Sequence, residues 1–265
     1  MDDPEALRAF GLELADAADA ISLPAFLAGP AVSTKADGTP VTAADTAIEE
    51  LIRDRVRRRF PSHGVLGEEF GDDSSADGTR WIVDPIDGTA NFARHIHVWA
   101  TLIGVEHDGE LVAGVVSAPA LGQRWSATRG GGATTTLGGR TWPVRVSAVS
   151  SLEEAHLIHA GLSPFDDEGR GEGIREALRR SWRDRGLGDF WGYMLVAQGS
   201  AEVMMETGVS VWDLAGPALI VTEAGGQFTD LDGNPGYAGP TALATNGLLH
   251  AELVTLLARR QGIGP

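Results

Sequence analysis

The stretch Trp81-Ile82-Val83-Asp84-Pro85-Ile86-Asp87-Gly88-Thr89 decides how the rest of this chain is read. An apolar run predicts a buried strand over Trp81 to Val83 that delivers Asp84 to its end. Pro85 and Gly88 then predict a tight turn that aims Asp87 back at the same point. Two carboxylates aimed at one spot repel by several kcal/mol at a low effective dielectric, so a cation is expected between them. Oxygen donors without thiolate or imidazole favour a hard ion such as Mg²⁺ over zinc. If a helix starts at Gly88-Thr89, its first amides are open donors, an arrangement suited to phosphate. Taken alone, the same residues also read as an Asx-type turn capping a helix.

Composition narrows the classes. A chain of 265 residues, 43% hydrophobic and 22% charged, is long enough for one large core or two lobes sharing a cleft. With no cysteine there is no disulfide, thiol nucleophile or zinc–thiolate site. The acidic start, Met1-Asp2-Asp3-Pro4-Glu5, lacks signal-peptide character, and no apolar run is long enough to span a bilayer, so a cytoplasmic setting is expected. Acids outnumber bases 37 to 21, a net charge of −16 that argues against nucleic acid or anionic membrane as partners. Divalent cations would reverse that field locally and admit a phosphate.

Periodicity predicts a helix over about 5–28 and a second from Thr42-Ala-Ala-Asp45 to about Phe60, with Ile48, Leu51, Ile52 and Val56 facing the core. The Arg53 to Arg59 cluster reads as a solvated helix end. Short strands follow from Val65 to Thr128. His107-Asp108-Gly109-Glu110 turns a hairpin between 98–106 and 111–118, and Gly130-Gly131-Gly132 with Gly138-Gly139 mark a loop-rich seam between lobes. The second half reads as helices at about 172–184, 191–199, 213–224 and 248–260, with strands at 202–206, 226–230 and 241–245.

Four further segments bear on the same chemistry. Glu68, after Val65-Leu66-Gly67, is placed as a metal ligand or as a loop acid. Asp213 opens an apolar helix and is a ligand or a plain N-cap. The polar loop from Lys35 to Thr42 leads to Asp45, within reach of a catalytic hydroxyl. Arg185-Gly186-Leu187-Gly188-Asp189-Phe190 sets an Arg and an Asp around Gly turns, or is the exposed end of the Arg-rich helix before it.

Gly67-Glu68-Glu69, the 81–89 stretch and Trp212-Asp213-Leu214-Ala215-Gly216 through Gly226 resemble, in order and spacing, the three signatures of the inositol monophosphatase family. Thr39-Pro40-Val41-Thr42, Ser117 to Leu121 and Arg185 to Phe190 resemble its bacterial histidinol-phosphate phosphatase branch. The resemblance implies an α/β (α+β) fold, a layered αβαβα sandwich. It implies one catalytic domain over 1–265: a lobe of about 1–140 with the metal motifs and a lobe of about 141–265 with the pocket and last metal Asp. By the same resemblance, Glu68, Asp84, Asp87, Asp213 and the carbonyl of Ile86 hold two or three Mg²⁺ ions, with Mn²⁺ a substitute. Glu68 orients the attacking water, Thr89 paired with Asp45 relays its proton, and Gly88 and Thr89 bind the phosphate. Arg185, Gly188, Asp189 and Glu206 shape the pocket beside Asp87 and Asp213. A histidinol phosphate, with its amine and imidazole, gains more from Asp189 and Glu206 than an inositol ring does. The resemblance further implies a homodimer acting on a small phosphorylated metabolite. The alternatives are an inositol-1-phosphatase, separable by an ester panel, and a non-catalytic binding protein on this scaffold. The mark of the latter is a missing metal carboxylate, and none is missing.

Overall fold

The computed structural model describes residues 2–34, 38 and 40–258. Helix α1 (Pro4–Ala28) leads through a short antiparallel pair, β1 (Val32–Thr34) and β2 (Pro40–Thr42), into α2 (Ala43–Arg59). Then come β3 (Gly64–Gly67), β4 (Gly71–Asp72), β5 (Thr79–Asp87), the short α3 (Thr89–Ala93), β6 (Ala100–His107), β7 (Glu110–Ala118), β8 (Gln123–Thr128), β9 (Gly132–Leu137) and β10 (Arg140–Val144). The second half runs β11 (His156–His159), α4 (Ser163–Asp167), α5 (Gly171–Arg180), β12 (Arg183–Gly186), α6 (Phe190–Ala197), β13 (Val203–Thr207), α7 (Val211–Glu223), β14 (Gln227–Thr229), β15 (Thr241–Thr245) and α8 (His250–Leu257). Lys35, Ala36, Asp37 and Thr39 of the expected loop, and 259–260 of the expected last helix, lie outside the described residues. No described helix is long and apolar enough to cross a membrane.

Besides the β1-β2 pair, two larger sheets form among the described residues, an eight-stranded one in the order β10-β9-β8-β7-β6-β5-β3-β4 and a five-stranded one in the order β12-β11-β13-β15-β14. Side-chain alternation sorts their residues into layers. On β5, Trp81 and Val83 pack with Leu14 of α1 and Ile48 of α2, whereas Ile82 packs with Leu214 of α7 and Met194 of α6. On β13, Met204 shares that middle core, and Met205 faces Ile174 and Leu253 on the outside. The result is helices, sheet, helices, sheet, helices, as the αβαβα expectation has it. Strands buried on both faces read as continuous apolar runs, which is why β5 shows no polar alternation before Asp84.

Helix α7 lies against the large sheet at backbone distance. A Cβ on Gly104 would come 2.6 Å from the Ala215 Cβ, one on Gly114 would come 2.9 Å from the Gly216 carbonyl, and one on Gly216 would meet the Ile103 carbonyl at 3.0 Å. Three small residues let the middle helix touch the sheet main chain.

Several expectations are corrected. The 130–139 region is no seam: Gly130 and Gly132, then Gly138 and Gly139, take positive φ in two hairpin turns that add β9 and β10 to the large sheet. The helix expected at about 172–184 stops at Arg180, since Ser181 is extended, and Arg183 to Gly186 form edge strand β12 instead. Its charged side chains suit an edge, and they hid it from an apolar pattern search. Arg53 is buried and bonded, not solvated like Arg57 and Arg58.

Candidate active site

The 81–89 stretch ends differently from the expected turn. Strand β5 continues through Asp87, and its pairing with β6 slips: Asp84 faces Leu102 and Asp87 faces Ala100. One extra residue on β5 makes this a bulge between Asp84 and Asp87, the stretch that holds Pro85, which has no amide to lose. Thr101 donates its hydroxyl to the Pro85 carbonyl at 2.8 Å. Residues three apart on a regular strand point to opposite faces; the bulge brings Asp84 and Asp87 to one side.

Asp213 joins them from the start of α7, and one oxygen from each of Asp84, Asp87 and Asp213 lies within 4.8 Å of the others. Each acid also has a backbone donor. Asp84 accepts the Ile86 amide at 2.9 Å, Asp87 the Phe190 amide at 2.8 Å, and Asp213 the Ser210 amide at 2.6 Å. The last bond closes a capping box on α7, so Asp213 serves the helix and the cluster together. Asp45 does the same on α2, accepting the Thr42 amide at 2.9 Å and hydroxyl at 2.6 Å.

Thr89 donates its hydroxyl to the Ile86 carbonyl at 2.9 Å and lies 3.5 Å from Asp45. Gly88 precedes it with φ 78 and ψ 38, a left-handed conformation in which glycine is unstrained. Glu68 stands outside the 4.8 Å trio, yet its charge acts on Asp45, Asp84 and Asp213.

A cavity of about 180 Å³ opens beside the trio, lined by Asp87, Asp189, Phe190, Tyr193, Glu206, Gly208, Val209 and Asp213. Tyr193 donates its hydroxyl to Glu206 at 2.8 Å, and Asn91 its amide to Asp189 at 2.8 Å. Asp189 takes φ 61 and ψ −166, a region that favours glycine. Gly188 is not among the cavity's lining residues; a Cβ there would press on the Ala160 Cβ at 3.3 Å and touch the Glu206 Oε1 at 3.7 Å. Arg185 is not brought to this cavity: its exposed side chain on β12 donates to the Asp184 carbonyl at 2.6 Å. Asn91 and Tyr193 were not singled out from sequence, since neither carries a motif and each matters only through a distant acid.

Electrostatics follow from burial and like charge. Burial, then Glu68, Asp87 and Asp213, hold Asp84 well above the usual carboxylate range. Burial and the Asp189 and Asp213 charges do the same to Asp87, partly opposed by the Phe190 amide. Burial raises Asp213 to about 6 and Glu206 to about 8. Asp45 and Asp189 are raised mainly by burial too. No Lys, Arg or His is among the cavity's described lining residues. Crowded oxygen donors without a cation of their own fit a hard divalent ion.

The inositol monophosphatase family profile matches residues 3–262. A histidinol-phosphatase of Streptomyces coelicolor is 47% identical over 256 residues, covering 93% of this chain and 95% of its own. A histidinol-phosphatase of Mycobacterium tuberculosis is 48% identical over 248 residues, covering 93% and 95%. The solved extragenic suppressor protein suhB from Bartonella henselae superposes with a TM-score of 0.86 at 28% identity, covering 97% of this chain and 100% of that one.

Proposed function

The chain belongs to the inositol monophosphatase family, and from that premise we propose that it is a phosphomonoesterase hydrolysing L-histidinol phosphate to L-histidinol and phosphate. The observation that carries the substrate is the pair Asp189 and Glu206, lining one cavity with Asp87 and Asp213. Two acids on the far side of a phosphate site suit a substrate with an amine and an imidazole. The identity to two histidinol-phosphatases supports the same reading.

In this proposal Glu68, Asp84, Asp87, Asp213 and the Ile86 carbonyl hold Mg²⁺. When bound, the ion supplies Lewis-acid polarisation of the phosphoryl group and activation of the attacking water. The chain's own residues do the rest. Glu68 orients the water. Thr89 passes its proton toward Asp45, whose buried carboxyl is raised and is a stronger base for it. The Gly88 and Thr89 amides, at the start of α3, take phosphate oxygens. Gly188 lies next to Asp189, behind the cavity wall, and is proposed to position that acid. Arg185, exposed on its edge strand, is proposed only as an outer contact that swings in with substrate. The two-lobed catalytic unit, the homodimer and the cytoplasmic setting are proposed with this reading, and the mass of the native protein in solution checks the dimer.

The test is a panel of phosphate esters with Mg²⁺ and purified protein. Histidinol phosphate is expected to exceed myo-inositol 1-phosphate in kcat/KM by at least about tenfold, the discrimination of one satisfied charged contact. A preference for the inositol ester would overturn the substrate and leave the phosphatase.

A further inference from the structure

Asp45, Glu49 and Arg53 stand at i, i+4 and i+8 on α2, a polar stripe turned into the protein beside Ile48 and Ile52. Asp45 belongs to the site just described. Glu49 is fully buried. Its carboxylate accepts the Glu69 amide at 2.7 Å and the Phe70 amide at 3.1 Å. Arg53 donates Nε and a terminal nitrogen to the same carboxylate at 2.9 and 2.7 Å. That guanidinium also donates to the carbonyl of Val65 at 3.2 Å and to that of Gly71. The pair therefore grips both ends of the turn that carries Glu68. Gly67 is part of the fit, since a Cβ there would lie 2.1 Å from a Glu49 oxygen.

A buried charge is costly unless paired and hydrogen-bonded, and here all but one of the bonds described go to the turn or to each other, the exception being Arg53 to the Asp73 carboxylate at 2.8 Å. We propose that Glu49 is a positioning residue for the reaction. It sets the Glu68 carboxylate by holding the next two amides, with Arg53 locking it in place. Because Asp45 sits one turn away on the same helix, α2 fixes Glu68 and the Thr89–Asp45 pair relative to each other. This inference rests on the proposed role of Glu68 in phosphoester hydrolysis.

The experiment measures kcat, KM, melting temperature and amide exchange in Glu49→Gln, Gly67→Ala, Glu68→Gln and the Glu49→Gln/Glu68→Gln double variant. In Glu49→Gln the side-chain NH₂ must oppose one of the two amides or Arg53. Gly67→Ala displaces the carboxylate without altering its charge, and serves if the Gln variant does not fold. Either is expected to lower kcat per folded molecule about 10- to 100-fold, as an ångström-scale misplacement does, with KM within about threefold. Exchange at Glu69 and Phe70 rises. The double variant is no slower than Glu68→Gln alone, because Glu49 acts through Glu68. Normal kcat in folded Glu49→Gln and Gly67→Ala, or additive losses in the double variant, would overturn the positioning role. Normal kcat in Glu68→Gln would instead overturn the reading of the site beneath it.

Discussion

Asp87 and Asp213 of the acidic trio line the same cavity as the Asp189–Glu206 pair, yet trio and pair are held in different ways. The trio leans on main-chain amides, two of them only two or three residues away in sequence: Ile86 for Asp84 and Ser210 for Asp213. The pair leans more on side chains, Asn91 for Asp189 and Tyr193 for Glu206, with the Asp189 main chain also bonded to Glu206. Amides held in a strand bulge or a helix cap cannot be lost by substitution, so the trio's geometry belongs to the fold. The pair's geometry belongs to particular side chains and can change while the fold stays. In the proposed reading, one site thus combines a fixed chemical centre with an adjustable recognition wall.

The largest effect tests the fixed half. Asp84→Asn is expected to lower kcat by about 10³-fold or more while far-ultraviolet circular dichroism stays native, since it removes a ligand charge without removing bulk. Near-normal turnover would end the metal assignment. Next is the adjustable half. Glu206→Gln keeps an acceptor for Tyr193 but removes a carboxyl that a bound cationic substrate would hold ionised. It should cost about 10- to 100-fold in kcat/KM for histidinol phosphate and less than about threefold for p-nitrophenyl phosphate. Equal losses on both esters would place Glu206 in the chemistry rather than in recognition.

A smaller effect joins the halves through pH. In chelator, folded Asp213 and Glu206 titrate at about 6 and about 8, above their unfolded values of 3.8 and 4.5. The folded state therefore binds more protons between those values, and its extra stability, present at acid pH, is lost as pH rises through about 6 and then 8. The melting temperature in chelator should be higher at pH 5 than at pH 8, and saturating Mg²⁺ should shrink the difference. A flat profile in chelator would show the two acids to be less crowded than they stand here. The smallest effect is at Asp189, whose backbone angles cost of order 1–3 kcal/mol for any residue with a Cβ. Asp189→Gly should hold or raise the melting temperature by a few degrees despite losing Asn91, while weakening histidinol phosphate selectivity.

Legibility in the sequence follows the same divide. The grouping of Asp84, Asp87 and Asp213 was readable because each ends or opens an apolar run, and the layers because apolar runs on both faces mark buried strands. The bulge between Asp84 and Asp87 was not readable, as a turn and a bulge share the same residues and only the pairing partner distinguishes them. The glycines at 130–139 misled because hairpin turns and loose connections draw on the same residue. Strand β12 was hidden by its Arg and Asp side chains. Glu49 had one faint signal, its i+4 spacing from Asp45 beside Ile48 and Ile52, but one acid among several on a charged helix gives no reason to turn it inward. Tyr193 sits in an apolar helix where its hydroxyl carries no pattern at all.

The contact of Gly216 with the main chain of the large sheet has a mechanical consequence. Side chains between packed elements act as springs that can swing or compress; carbonyl against glycine leaves no such slack. The helix presenting Asp213 is in effect welded to the sheet presenting Asp84 and Asp87, so the spacing of the three acids is set by main chain against main chain rather than by side chains that could repack.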